Sequence, residues 1–127
     1  MTLKKILLIE DEPDIQEITR SALELVGGFD VLAASGGMEG IALAESNVPD
    51  LILMDMMMPG LDGAETLKLM RQNSKIKMIP VVFMTAKVQA HEIQQYIDLG
   101  AVDVIPKPFD PMQISNQIYQ IWSSING

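Results

Sequence analysis

Cysteine is absent from this chain of 127 residues, and histidine occurs once, as His91. Without cysteine the chain can form no disulfide framework, no thiolate metal site and no cysteine nucleophile. A single histidine excludes a multi-histidine metal site and leaves one candidate for a serine–histidine triad. The chemistry of this chain therefore rests mainly on its carboxylates, hydroxyls and amines.

Long apolar runs are also missing. No run approaches the ~20 residues of a membrane-spanning helix, and the lysines near the amino terminus are not followed by the apolar segment of a signal peptide. We therefore expect a cytoplasmic protein without membrane insertion. The sequence has no internal repeat, low-complexity stretch or linker, so we expect one domain over residues 1–127. Apolar residues make up 48% of the chain, which is enough for a core.

Basic residues are few and unevenly placed. Nine lysines and arginines stand against 17 acidic residues, for a net charge of −8. Residues 1–65 contain 13 acidic and 3 basic side chains, whereas residues 66–127 contain 4 acidic and 6 basic side chains. Because an acidic surface repels phosphates, we expect no direct binding of nucleic acid. The acidic half instead favours a cation site or a basic partner.

Five short apolar runs alternate with five segments of helical periodicity. Continuous apolar runs are typical of strands that are covered on both faces of a parallel sheet. Strict alternation of strand and helix predicts a doubly wound α/β fold with five parallel strands and five helices. The predicted strands are Ile6–Ile9, Val31–Ala34, Leu51–Met54, Val81–Met84 and Val102–Ile105.

Apolar stripes and capping residues indicate how the helices begin, end and pack. In the first helix the stripe consists of Ile15, Ile18, Ala22, Leu25 and Val26. In the last helix it consists of Ile114, Ile118, Ile121 and Ile125, with Tyr119 and Trp122 half-buried beside it. The predicted boundary signals are Pro13 in the first turn of helix one, Asp62 with Glu65 before helix three, Gly100 after helix four, and Asp110-Pro111 at the start of helix five.

Polar side chains follow four of the predicted strands. Glu10, Asp11 and Glu12 follow the first, Asp55 the third, Thr85 the fourth and Lys107 the fifth. In doubly wound sheets the ligand site lies outside the carboxyl ends of the strands, so these groups are expected to converge. Carboxylates in close proximity repel each other unless a cation joins them, and oxygen ligands suit Mg²⁺. For Glu12 we expect a helix cap or a solvated turn instead.

Four segments resemble the receiver domain of two-component response regulators: Ile6–Ile15, Leu51–Gly63, Val81–Lys87 and Leu99–Phe109. The spacings support the resemblance, with 44 residues from Asp11 to Asp55, 30 from there to Thr85 and 22 on to Lys107. The resemblance covers essentially the whole chain. It implies a flavodoxin-like receiver fold with strand order 2-1-3-4-5, similar to a single-domain chemotaxis regulator.

The resemblance also implies roles for individual residues. Asp55 would accept a phosphoryl group from a sensor histidine kinase or a phosphotransfer protein. Glu10, Asp11, Asp55 and the backbone carbonyl of Met57 would hold Mg²⁺. Thr85 and Lys107 would bind the phosphoryl oxygens, and the bond from Lys107 to Pro108 would be cis. Such a domain relays a signal and is not an enzyme.

Two departures from the family's pattern affect the expected signal. Glu10 stands where aspartate is commoner, and Val104 stands where the family usually has tyrosine or phenylalanine. Valine cannot report phosphorylation by rotating a ring. We expect the change to reach a downstream protein target through the face formed by helix four, strand five and helix five. Residues 111–127 carry no charged side chain, which favours a stand-alone receiver or a partner-docking face over a DNA-binding regulator.

Three other functions share parts of this pattern. A pseudo-receiver would act as a protein-interaction module and never use Asp55. An aspartyl phosphatase would need an acid two residues after the nucleophile, where Met57 stands. A flavodoxin-like cofactor protein would need a glycine-rich phosphate loop after the first strand, which this sequence lacks.

Overall fold

The computed structural model describes residues 2–126, so Met1 and Gly127, the ends of the predicted domain, lie outside it. The described residues form five strands and five helices in strict alternation. These are β1 Lys5–Ile9, α1 Pro13–Leu25, β2 Asp30–Ala34, α2 Gly37–Asn47, β3 Leu51–Asp55, α3 Gly63–Arg71, β4 Val81–Thr85, α4 Ala90–Leu99, β5 Asp103–Pro106 and α5 Ile114–Asn126.

All strand pairs are parallel, and the sheet order is β2-β1-β3-β4-β5. This confirms the predicted doubly wound fold. The register places Asp55 beside Met84 and Thr85 beside Pro106. The carboxyl ends of β3, β4 and β5 therefore lie next to one another, and β1 ends beside them because Ile9 pairs with Met54.

Two apolar layers cover the sheet. One packs Leu8, Leu53 and Val82 against α1 and α5, where Leu23 and Ile118 are fully buried. The other packs the opposite faces of the strands against α2, α3 and α4. Every residue of β3 and β4 is buried, which explains why these strands are continuously apolar up to their carboxyl ends. None of the helices among residues 2–126 is long and apolar enough to cross a membrane.

The helix boundaries follow the predicted signals at three of four places. Pro13 begins α1, Asp62 and Glu65 form a reciprocal capping box for α3, and Gly100 ends α4 with φ 114°. The predicted start of helix five at Asp110-Pro111 is wrong. A turn over residues 111–113 comes first, in which Asp110 Oδ1 accepts from the Met112 amide at 2.9 Å, and the regular helix begins at Ile114.

The predicted stripes are partly wrong. In α1 the buried residues are Thr19, Ala22 and Leu23, while Ile18 and Leu25 are exposed. The helix is rotated so that one side of its apolar stripe remains on the surface. In α5 the end of the stripe, Ile125, is exposed, whereas Trp122, predicted half-buried, is buried in the core. Tyr119, also predicted half-buried, is exposed, and its hydroxyl donates to the Gly27 carbonyl at 3.0 Å.

The outer strand β5 has a distinctive backbone edge. The Lys107 amide donates to the Thr85 carbonyl at 2.9 Å. Because successive amides of a strand point in opposite directions, the Ile105 amide also faces β4, and the Val104 amide faces outward. The Val104 amide donates to the carboxylate of Asp103 at 2.7 Å. The next outward position is Pro106, which has no amide hydrogen.

Candidate functional site

Glu10 lies in the turn that joins β1 to α1, and its side chain is completely buried. The Glu12 amide donates to Glu10 Oε2 at 3.1 Å, which orients the carboxylate. The side chain of Gln16 donates to the carbonyls of Glu10 and Ala34, at 2.9 and 3.2 Å, and ties the turn to β2. Gln16 was missed in the sequence because a glutamine in a first helical turn matches no recognisable motif.

Asp55 ends β3 and is also buried. Its Oδ1 accepts from the Met57 amide at 3.3 Å and from Lys107 Nζ at 3.1 Å. The loop after Asp55 returns closely to the strand, because Gly63 donates its amide to the Met56 carbonyl at 2.9 Å. A Cβ at Gly63 would lie 2.8 Å from Met56 Cα and 2.9 Å from the Asp55 carbonyl oxygen, so the close approach requires glycine.

Lys107 joins the two buried carboxylates. Its ammonium lies 3.1 Å from both Glu10 Oε1 and Asp55 Oδ1. Burial alone would lower the pKa of Lys107, but its bonds to these carboxylates outweigh that effect and hold the pKa above its usual value. Lys107 is therefore a fixed positive charge at the site. The bond from Lys107 to Pro108 is cis, as expected.

The carboxylates of Glu10, Asp11 and Asp55 form a cluster in which one oxygen of each lies within 4.8 Å of the others. Asp11 Oδ1 is buried and has no hydrogen-bond partner among the described residues. Burial raises the pKa of Glu10 to about 7, and the charge on Asp55 acts in the same direction, although the bonds to the Glu12 amide and Lys107 oppose it. An orphaned carboxylate oxygen among buried anions fits a hard divalent cation.

Thr85 ends β4 and is buried. Its hydroxyl oxygen accepts from the Lys87 amide at 3.1 Å. Because the hydroxyl accepts in this bond, its own hydrogen can be donated to an anion placed between Thr85 and Asp55.

An apolar groove of about 460 Å³ lies beside the charged cluster. Lys107 lies at its border, and the other lining residues come from α1 and the loops after β4 and β5. They are Ile15, Ile18, Ala86, Pro108, Phe109 and Pro111. The exposed side of α1 therefore belongs to an apolar surface that leads to the site.

The structure brings together Glu10, Asp11, Asp55 and Lys107 as predicted, with Thr85 on the neighbouring strand. The side chain of Met57 is exposed, while its amide contacts Asp55. Glu12 contributes its amide, and its side chain is exposed. His91 lies exposed in the first turn of α4 and is not a member of the cluster.

The sequence of this chain is similar to those of known proteins. The family described as "Response regulator receiver domain" matches residues 6–119. The chain is 39% identical over 118 residues to the alkaline phosphatase synthesis transcriptional regulatory protein PhoP of Bacillus subtilis, covering 93% of this chain and 48% of that protein. It is 43% identical over 105 residues to the probable C4-dicarboxylate response regulator DctR of Priestia megaterium, covering 82% of this chain and 45% of that protein. The chain thus spans about half the length of the curated relatives it matches.

A solved structure gives the same result for the fold. The chemotaxis response regulator CheY4 of Vibrio cholerae superimposes with a TM-score of 0.87 at 28% identity, over 94% of this chain and 99% of that one. A family match over most of the chain, the shared strand order and a relative at 39% identity agree with one another. The chain belongs to the response regulator receiver domain family.

Proposed function

We propose that Asp55 accepts a phosphoryl group from a sensor histidine kinase or a phosphotransfer protein, and that the domain relays this event to a protein target. The observation that carries the proposal is the position of Asp55. It is a buried carboxylate in contact with a fixed ammonium, beside two further acids, one of which has an orphaned oxygen. The domain acts as a signalling acceptor and not as an enzyme with a small-molecule substrate.

In the proposed transfer, an oxygen of Asp55 attacks the phosphorus of a phosphohistidine. The new bond joins that oxygen to phosphorus, and the bond from phosphorus to the imidazole nitrogen breaks, leaving its electron pair on the ring. Both donors to Asp55, the Met57 amide and Lys107, act on Oδ1. Oδ2 is therefore the oxygen that we assign to the attack. Lys107 then offsets charge on the phosphoryl oxygens, and Thr85 donates its hydroxyl hydrogen to one of them.

The residues that would hold Mg²⁺ are Glu10, Asp11, Asp55 and the carbonyl of Met57. When bound, the ion neutralises charge on the phosphoryl oxygens. The orphaned Asp11 oxygen and the distances within the cluster support this donor set. Glu10 is one methylene longer than aspartate and is already oriented by the Glu12 amide and Lys107, which makes Asp11 the more direct ligand.

The phosphodonor is proposed to approach along α1. The apolar groove beside Lys107 and the exposed Ile18 and Leu25 provide a surface for an apolar helix face of the donor protein. A donor that lies on this surface has its histidine at the border of the charged cluster. The downstream target is proposed to bind the face formed by α4, β5 and α5, on the other side of the site.

The acceptor is tested by replacing Asp55 with asparagine. With Mg²⁺ and acetyl phosphate, the wild-type protein should gain one phosphoryl mass, and it should gain none when the metal is removed with a chelator. Asp55→Asn should gain none under either condition, because the amide is a far weaker nucleophile than the carboxylate. The measurement is intact mass over time.

Asp14→Asn is the matched control. It removes an exposed carboxylate from the first turn of α1, near the site but outside the cluster, and should be phosphorylated like the wild type. If Asp55→Asn gained mass at the wild-type rate, the assignment of Asp55 would be wrong. A folded wild-type protein that never gained mass would instead identify a pseudo-receiver.

A further inference from the structure

Lys87 connects Thr85 to the middle of α4 through two hydrogen bonds. Its amide donates to the Thr85 hydroxyl oxygen at 3.1 Å, and its carbonyl accepts from the hydroxyl of Tyr96 at 3.2 Å. Tyr96 lies nine residues further along, inside α4. A single residue of the loop thus links the end of β4 with the body of the helix that follows it.

The ring of Tyr96 is fixed by its surroundings. Its side chain is buried in the apolar layer over the sheet, and the ring packs edge-on against Phe83, with centroids 5.7 Å apart and planes at 70°. Phe83 is fully buried in β4, two residues before Thr85. Tyr96 is therefore anchored at both ends, with its ring on the strand and its hydroxyl on the loop.

The neighbouring strand offers no comparable link. Val104 of β5 is partly buried in the same apolar layer, but its side chain has no hydrogen-bonding group and is too short to span from strand to loop. Tyr96 is thus the side chain from α4 that combines ring packing on β4 with a hydrogen bond to the loop after it.

We infer that Tyr96 is a positioning residue that makes α4 follow the movement of Thr85. This inference rests on the proposed function, in which the Thr85 hydroxyl turns toward a phosphoryl group on Asp55. The Lys87 amide follows the hydroxyl to which it is bonded, and the Lys87 carbonyl moves with it. Because the Tyr96 ring is packed and cannot swing alone, its hydroxyl transmits the displacement to the helix.

The inference is tested by Tyr96→Phe, which removes the hydroxyl and keeps the ring. The full chain is labelled with ¹⁵N, and amide shifts are recorded with Mg²⁺ before and after addition of beryllofluoride as the phosphoryl mimic. In the wild type, shifts should change at residues 85–88 and at residues 90–97. In Tyr96→Phe the changes at 85–88 should remain, and those at 90–97 should shrink several-fold.

Tyr119→Phe is the matched control, because the Tyr119 hydroxyl also donates to a backbone carbonyl but joins α5 to Gly27. It should show the wild-type pattern of shifts, and denaturant unfolding of both variants reports any loss of stability separately. Full-size changes at 90–97 in Tyr96→Phe would overturn the inference and leave the proposed function intact. Absence of any change at 85–88 in the wild type would overturn the proposed function and the inference with it.

Discussion

Glu10 shows how a single buried residue makes the site sensitive to pH. Burial raises the pKa of its carboxyl in the folded protein to about 7, from an ordinary value of 4.5. At a pH between these two pKa values, and in the absence of metal, the folded protein holds a proton on Glu10 that the unfolded chain has lost. The free energy of unfolding therefore contains a contribution from Glu10 that falls as pH rises from about 4.5 to about 7.

We expect Glu10→Gln to remove this contribution. Glutamine keeps the size of the side chain and does not titrate, so the variant should gain stability relative to the wild type as pH rises through this range, by on the order of 3 kcal/mol in total. The measurement is urea unfolding of both proteins at several pH values in the presence of a chelator. Parallel pH profiles for the two proteins would contradict the assignment of the raised pKa to Glu10.

At the scale of the element, the start of α3 controls the position of Asp55, the proposed acceptor. The capping box of Asp62 and Glu65 fixes where the helix begins, and Gly63 brings that first turn against the backbone of Asp55 and Met56. A side chain at Gly63 would meet backbone atoms, which cannot move aside as a flexible side chain can. The start of α3 and the loop after Asp55 therefore act as one unit.

Gly63→Ala should displace that loop. We expect a loss of stability of about 1–3 kcal/mol from overpacking, together with slower gain of phosphoryl mass from acetyl phosphate. Gly36→Ser is the matched control, because it adds a Cβ at a helix N-cap where no atom lies within 4 Å and serine is a favoured cap. Equal phosphorylation rates in Gly63→Ala and Gly36→Ser would show that the loop tolerates the added carbon.

The elements also show what the sequence can predict. All five strands lie within one residue of their predicted limits, because continuous apolar runs mark strands that are covered on both faces. The predicted start of helix five was wrong because Asp110 identifies a cap but not the length of the turn that follows it. The spacing in α1 identified an apolar stripe but not the rotation of the helix, so Leu23 was omitted from the core and Leu25 included.

The site was predictable as far as topology determines it. Once the strands are parallel, the residues after their carboxyl ends must share one edge, and this places Asp11, Asp55, Thr85 and Lys107 together. The bonds of Lys107 to both Glu10 and Asp55, and the link from Lys87 to Tyr96, depend on side-chain conformations and on contacts between distant segments. No local pattern in the sequence encodes those contacts.

At the scale of the whole molecule, the groups proposed to respond to phosphorylation lie on the side of the sheet that contains β4 and β5. Thr85 and Lys107 belong to β4 and to the loop after β5, whereas β2 and α2 lie at the far edge of the sheet. A shift of these two residues therefore acts on α4, β5 and the loop that leads to α5. This is the face proposed to bind the downstream target.

We therefore expect an asymmetric response to beryllofluoride in amide hydrogen exchange. With Mg²⁺ present, exchange rates should change at residues 85–95 and 102–108 and remain unchanged at residues 30–47. The two sets of amides serve as internal controls for each other in one experiment. A response confined to the loop after Asp55 would show that the domain does not signal through α4, β5 and α5.

The backbone edge of β5 has a consequence for the behaviour of the protein at high concentration. An exposed strand edge with free amides is a template on which a strand of another molecule can pair, and growth of sheets in this way leads to aggregates. On β5 the Val104 amide is already bonded to Asp103, and Pro106 has no amide hydrogen to offer. A strand of another molecule therefore has no free amide hydrogen to pair with at these two positions. The sheet is thus protected at β5 against extension by a second molecule.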